Sequence, residues 1–324
     1  MAPLNRPLQD RPDNGLVFLA KLIIAALILS AMWVVTVLWP VAHAESAASL
    51  RNVPNDLSIQ SLDNPHAQLY LIKVPPSARY EIIPVVSRYT EPLPDLVDKV
   101  RPVAVAGINA GFFDPRNRQT TSYVVAQEHI LVTPMNNRGF VENPQMFDYL
   151  PKMLNRSEFR VLTCKDQNGY VYDVARHRDE PPHKCTILHS IQAGPDLFDA
   201  DAQIDEAFVD YKNGQKVRDP IGVDRPNARS AIGVDAHGNV LLVMAAMKSE
   251  DEGVTNGLTL SELASVMRRQ GAVKALALDG GSSSAIWFNG ETYAGKQANS
   301  KPLLRPIKSA FVVIRKDIAN ASDR

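Results

Sequence analysis

The stretch TLSELASVMRRQGAVKALALDGGSSS, from Thr259 to Ser284, decides the fold class. Its first half reads as a helix. Thr259 is an N-cap with Glu262 three residues on, a capping-box pattern that satisfies two backbone donors reciprocally. Leu263, Val266 and Met267 recur on one side, and Arg268 and Arg269 suit the negative helix end. Gly271 is a natural residue to leave the helix on. Ala272 to Leu278 then reads as a buried strand, and it ends in Asp279-Gly280-Gly281-Ser282-Ser283-Ser284.

Working outward, Ala228 to Val234 and Val240 to Ala246 read as two strands joined by the turn Asp235 to Asn239. Ala285 to Phe288 precedes the turn Asn289-Gly290, and Ser309 to Ile314 is a last strand. Upstream, Gln68 to Val74 and Tyr80 to Val86 read as strands around Pro75-Pro76-Ser77. Pro94 to Val100 is a short helix with Pro at its start. Val103 to Ile108 is a buried strand that runs into Asn109-Ala110-Gly111-Phe112-Phe113-Asp114. Residues 116–225 are the least regular, with strand-like pieces at 123–132 and 158–163 and an apolar approach from Ser190 to the turn at Gly194-Pro195. No regular βαβ rhythm runs through the chain. The expectation is an α+β fold: a single domain with a mixed, mostly antiparallel sheet and a few packed helices.

The chain has 324 residues, and 35 Lys plus Arg balance 35 Asp plus Glu. Hydrophobic residues make up 45% and charged residues 22%, which excludes a chain disordered throughout. Zero net charge argues against a general nucleic-acid binder, so no nucleic-acid partner is expected.

Residues 1–44 form a separate physical object. An apolar run from Leu22 to Trp39 ends at Pro40, and Ala42-x-Ala44 has the small-x-small form of a signal-peptidase site. A cleaved signal peptide and an uncleaved signal anchor both fit; either exports the rest. The expected location is periplasmic, extracellular or membrane-anchored facing outward, with membrane contact only through 22–39 if uncleaved. Residues 45–66 are expected as a linker or N-terminal arm, 67–316 as the functional domain and 317–324 as a tail. Export suggests a disulfide between Cys164 and Cys185, the only two cysteines. Two separate thiols, or a zinc site with His177, His183 and His189, are the alternatives.

Two segments share one logic: an apolar strand runs into small residues, and a polar side chain stands at its end. These side chains are Asn109 and Asp279. Gly280-Gly281 lets the backbone approach a ligand closely, and Ser282 to Ser284 offer hydroxyls and N–H groups, a turn suited to an anion. Arg229, at the head of an apolar strand, is costly unless paired, and its planar guanidinium matches a phosphate. There is no P-loop and no nucleophile elbow, because Gly281-Ser282-Ser283-Ser284-Ala285 lacks the second glycine.

Taken in order, five segments resemble the phosphodiester glycosidase family, which includes the enzyme that uncovers mannose 6-phosphate. They are Ile108 to Asp114, Gln192 to Leu197, Ala228 to Gly233, Gly257 to Leu260 with Glu262, and Leu278 to Ser284. The resemblance covers roughly Gln68 to Arg315. Ala110 and Ser282 stand where the family often has glycine, and Gln119 to Val125 replaces its usual Pro-x-Gly signature. Region 134–190 is enlarged.

The resemblance implies hydrolysis of a sugar-1-phosphodiester at the C1–O bond, with a glycan or sugar-phosphodiester as partner, in envelope or exopolysaccharide metabolism. Within it, Asp279 is the candidate base, nucleophile or stabiliser. Asn109 positions sugar or water, and Arg229 with Gly280 to Ser284 takes the phosphate. Gly111, Asp114 and Gly194 are further expected binding residues, and Glu262 is a weaker carboxylate with capping as its other role. No cofactor is expected, with a divalent cation on Asp279 a subordinate option. A non-catalytic binder of an anionic polysaccharide is the other class the same residues suit.

Overall fold

A computed structural model of the chain describes residues 56–101, 103–248, 256–299 and 301–317. The apolar segment 22–39 and the processing site at Ala44 lie outside the described residues. Among the described residues no helix is long and apolar enough to cross a membrane.

Among the described residues, three five-stranded sheets build the fold. The first contains β1 (Ile59–Asn64), β2 (Ala67–Val74), β13 (Val240–Ala246), β12 (Arg229–Asp235) and β14 (Ala272–Ala277), in that spatial order. The second runs β16 (Glu291–Ala294), β15 (Ala285–Phe288), β4 (Ala104–Asn109), β19 (Ile307–Arg315) and β3 (Tyr80–Glu91). The third runs β6 (His129–Val132), β5 (Val124–Ala126), β9 (Cys185–Gln192), β7 (Ser157–Cys164) and β8 (Tyr170–Arg176). Two small hairpins, β10 (Asp210–Lys212) with β11 (Gln215–Arg218) and β17 (Gln297–Ala298) with β18 (Lys301–Pro302), complete the strands among the described residues.

Every strand pair in these sheets is antiparallel. The α+β class holds, and the mixed character expected of the sheet does not. Hairpins and long returns connect the strands here, whereas parallel pairs need crossover helices.

Strand β13 shows why its sequence is apolar throughout. Val240, Leu242, Met244 and Ala246 enter the central core, while Leu241, Val243 and Ala245 enter a second cluster on the opposite face. A strand covered on both faces keeps its period of two but loses the polar alternation. The second cluster is closed by the helix Leu260–Arg269, which buries Leu260, Leu263, Ala264, Val266 and Met267 against the sheet. Its capping box is formed as read: the Thr259 hydroxyl accepts from Glu262 N–H, and Glu262 Oε2 accepts from Thr259 N–H. On the far side of the second sheet, the helix Leu93–Asp98 packs Leu93, Leu96 and Val97 onto Val85, Trp287 and Val312.

The central core lies where the three sheets meet. Ile232 and Leu242, Ile108 and Phe311, and Phe159 and Ile191 come one pair from each sheet. The third sheet is the part the sequence hid. Its strands carry Glu158, Arg160, His189, Ser190 and Gln192 at buried positions, and these break the apolar pattern. Their polar groups find partners within the fold: His189 Nε2 lies 3.1 Å from Glu81 Oε1, and Gln192 Nε2 donates to Arg156 O at 3.1 Å. Arg160 Nε donates to Glu158 Oε1 at 2.8 Å, and Ser190 Oγ donates to Glu158 Oε2 at 3.3 Å.

The stretch 45–66, expected as a linker, supplies β1, which pairs with β2 from Ile59 opposite Ile72 to Asn64 opposite Ala67. Cys164 and Cys185 are opposed on β7 and β9 and form the disulfide, which overturns the zinc and free-thiol alternatives.

Candidate active site

The ends of β14 and β4 meet beside the start of β12. Asp279 N–H donates to Ala110 O at 2.9 Å, and Leu278 N–H donates to Ser230 O at 2.9 Å. Asn109 ties the junction together. Its Nδ2 donates to Asp279 O at 2.6 Å, while its Oδ1 accepts from Ser230 Oγ at 2.7 Å and from Ala285 N–H at 3.0 Å. The side chain is completely buried. Asn109 therefore holds the backbone of Asp279 in place. A strand-end Asn is suited to it because one amide offers both donors and acceptors.

A pocket open to solvent lies over this junction. Its lining includes Asp279, Gly280, Gly281 and Arg229, with Phe112, Ile221, Asn227 and Leu260 around them. Asp279 is the one acidic residue in that lining. Burial pushes its carboxyl up to about 6, and bonds from Ser283 and Gly280 N–H, together with the charge of Arg305, offset part of that rise. Desolvation outweighs these partners, so the group titrates near neutrality.

The Gly280 to Ser284 turn is built as its composition suggests. Gly281 adopts φ +63°, a left-handed conformation open to glycine, and its N–H donates to Ala228 O at 2.7 Å. Ser283 bonds the Asp279 carboxylate. Ser282 Oγ accepts from Arg305 Nη1 at 2.8 Å.

Arg229 lines the pocket but is otherwise engaged. Its Nε donates to Leu258 O at 2.9 Å, Nη1 to Ile221 O at 3.0 Å, and Nη2 to Gly222 O at 2.6 Å and Arg225 O at 2.8 Å. Burial lowers it to about 10, so it keeps its charge at neutral pH. Four of its five N–H groups thus gather loop 221–225 and Leu258. A bidentate phosphate fork from Arg229, expected from the sequence, is not available.

The remaining expected site residues make contacts within the scaffold. Gly194 to Leu197 run along the free edge of β14: Gly194 N–H donates to Ala277 O at 2.9 Å and Leu197 N–H to Ala275 O at 2.8 Å. This segment covers an edge that would otherwise stay unpaired. Gly194 is required because its φ is +111° and an added Cβ would collide with the fully buried Glu206 carboxylate. Gly111 packs against Gln192 O and Ser122, and its N–H donates to Ser309 Oγ at 3.1 Å. Asp114 pairs with Arg116 at 3.3 Å outside the pocket lining. Glu262 is spent on its capping box.

Two cations escaped the sequence reading. Arg305 lies 5.7 Å from the Phe113 ring centroid and acts on Asp279. Lys296 is half-buried, and burial and then the nearby charge of Arg229 lower its pKa. Neither stands in a motif; each lies on a loop whose path only the fold defines, Arg305 acting on Asp279 and Lys296 feeling the charge of Arg229.

A sequence model of the phosphodiester glycosidase family matches residues 103–314. No curated protein matches the chain. Among solved structures, the chain is similar to the zebrafish N-acetylglucosamine-1-phosphodiester alpha-N-acetylglucosaminidase catalytic domain, described as auto-inhibited by its pro-peptide. The identity is 15% over 82% of this chain and 85% of that one, with a TM-score of 0.56. A hypothetical protein from Synechocystis is similar at 16% identity over 80% of this chain, with a TM-score of 0.53, and the match spans 62% of its length. A protein from Burkholderia pseudomallei, described as exported, matches at 13% identity over 79% of this chain and 76% of that one, with a TM-score of 0.50. These likenesses speak for the fold.

Proposed function

Because the chain belongs to the phosphodiester glycosidase family, we propose that it hydrolyses the C1–O bond of a sugar-1-phosphodiester, releasing the sugar and a phosphomonoester. The observation that carries this reading is Asp279. It is a single carboxylate tuned to about 6, the one acidic residue in a pocket lining that also holds Arg229, with the charge of Arg305 acting on it.

A phosphomonoester is a good leaving group, so the reaction needs little help from a general acid. It needs a place for the phosphate, stabilisation of an oxocarbenium-like centre and an activated water. Asp279 is ionised above pH 6 and takes the proton of that water. The water oxygen bonds to C1, the C1–O bond breaks, and its electron pair leaves with the phosphate. Pairing one carboxylate with a direct attack of water gives inversion at C1, whereas the retaining route needs a nucleophile and a separate acid.

Export is part of the same proposal. A disulfide persists in oxidising compartments, and the chain carries one. A substrate in envelope or exopolysaccharide metabolism fits that location.

The test is a release assay on the purified protein with a panel of sugar-1-phosphodiesters, following free sugar and its anomeric form by NMR. Release by the wild type and none by Asp279→Asn is the expected result. A folded wild-type protein that binds a panel member and releases no sugar overturns the proposal in favour of a glycan binder.

A further inference from the structure

The Arg229 guanidinium has one N–H left, and a bidentate grip on phosphate needs two. The charge for an anion has to come from elsewhere. Arg305 donates to Ser282 Oγ at 2.8 Å and makes no other hydrogen bond and no ion pair among the described residues. The Phe113 ring and the Ser282 hydroxyl steady it, while its remaining N–H groups are unclaimed.

Lys296 follows Gly295, whose N–H donates to Ser284 O at 2.7 Å, so the lysine hangs from the same Gly280 to Ser284 turn. Its ammonium makes no hydrogen bond and no ion pair among the described residues, and it is close enough to Arg229 to feel its charge. A half-buried lysine that pairs with no carboxylate among the described residues, beside a buried arginine whose charge it feels, is a costly arrangement. An anionic ligand removes that cost.

We propose that Arg305 and Lys296 receive the phosphate of the substrate, with Arg229 as the strut that shapes the wall behind them. This rests on reading the pocket as a sugar-1-phosphodiester site. The phosphate sits against the Gly280 to Ser284 turn and leaves C1 facing Asp279. Negative charge on the departing phosphate grows as the C1–O bond breaks. Two cations placed there stabilise the transition state more than the bound diester, and they hold the doubly charged product more tightly still.

The test uses the full chain and inorganic phosphate as the probe, titrated by calorimetry, with turnover of sugar-1-phosphodiesters measured alongside. Arg305→Ala and Lys296→Met should each weaken phosphate binding about tenfold or more, as expected for lost charge-assisted hydrogen bonds. The double variant should lose more, and Arg305→Lys should recover part. If Lys296→Met lowers the melting temperature, Lys296→Gln takes its place. A wild type that binds no phosphate overturns the proposal. So does a double variant that binds phosphate, or turns over diesters, as the wild type does. Phosphate binding that depends on both cations, in a protein that releases no sugar, upholds the anion site and sinks the glycosidase reading instead.

Discussion

At Asp279 the physics of one residue reaches both stability and rate. Its ordinary carboxylate value is 3.8, and burial raises it to about 6 in the folded protein. The folded state therefore holds the proton more tightly than the unfolded chain. The group costs nothing below about pH 4; the cost builds between 4 and 6 and is present in full above 6. It amounts to as much as about 3 kcal/mol, at 1.36 kcal/mol per pKa unit. Asp279→Asn should accordingly raise the melting temperature at pH 7.5, relative to wild type, and show no gain at pH 4. It should lose turnover at both. Wild-type kcat/KM should fall tenfold per pH unit below about 6, as the base is protonated. A flat rate between pH 4.5 and 7 excludes Asp279 as that base. Arg229 is the opposite case. Arg229→Ala strips donors from four carbonyls and should cost more than about 3 kcal/mol. Its loss of activity should follow its loss of folded protein in a denaturant titration; a stable variant that has lost phosphate affinity refutes the strut assignment.

At the scale of elements, the Leu260–Arg269 helix and its cap were legible because every signal is local. A capping box spans four residues, and the apolar face repeats within two turns. Thr259→Ala should cost about 1 kcal/mol, read as a lower urea midpoint with an unchanged slope. No change in midpoint means the cap contributes nothing measurable. The β12–β13 hairpin was equally legible, from its turn and its two apolar runs. Strands β8 and β9 were not. Tyr170 to Arg176 reads YVYDVAR, and Cys185 to Gln192 carries His189, Ser190 and Gln192 on buried positions. The partners that make those polar groups tolerable, Glu158 and Glu81, lie on strands distant in the chain. No window of local sequence contains both halves of such a pair.

At the scale of the whole molecule, the disulfide and the pocket occupy different sheets. Cys164 and Cys185 bind β7 to β9, whereas the pocket sits on the first two sheets' strand ends. By loop entropy alone the crosslink contributes about 3 kcal/mol for a loop of this size. The Cys164→Ser, Cys185→Ser double variant should melt lower and keep its kcat on a sugar-1-phosphodiester; a fall in kcat with the fold intact shows that the third sheet reaches the chemistry. The amino-acid sequence by itself determined the α+β class, the long helix, the hairpin and the two strand ends that carry Asn109 and Asp279. Those features rest on periodicity, caps and turn residues, which are interactions between near neighbours. Tertiary structure alone decided the division of labour. It turned Arg229 into a strut, Asn109 into a brace for Asp279 and Gly194 into a cover for the edge of β14, and it brought the charge of Arg305 to bear on Asp279 and Lys296 close to Arg229. The reason is that a polar side chain's role depends on which partners consume its donors and acceptors, and here those partners arrive from the first two sheets and from loops distant in the chain.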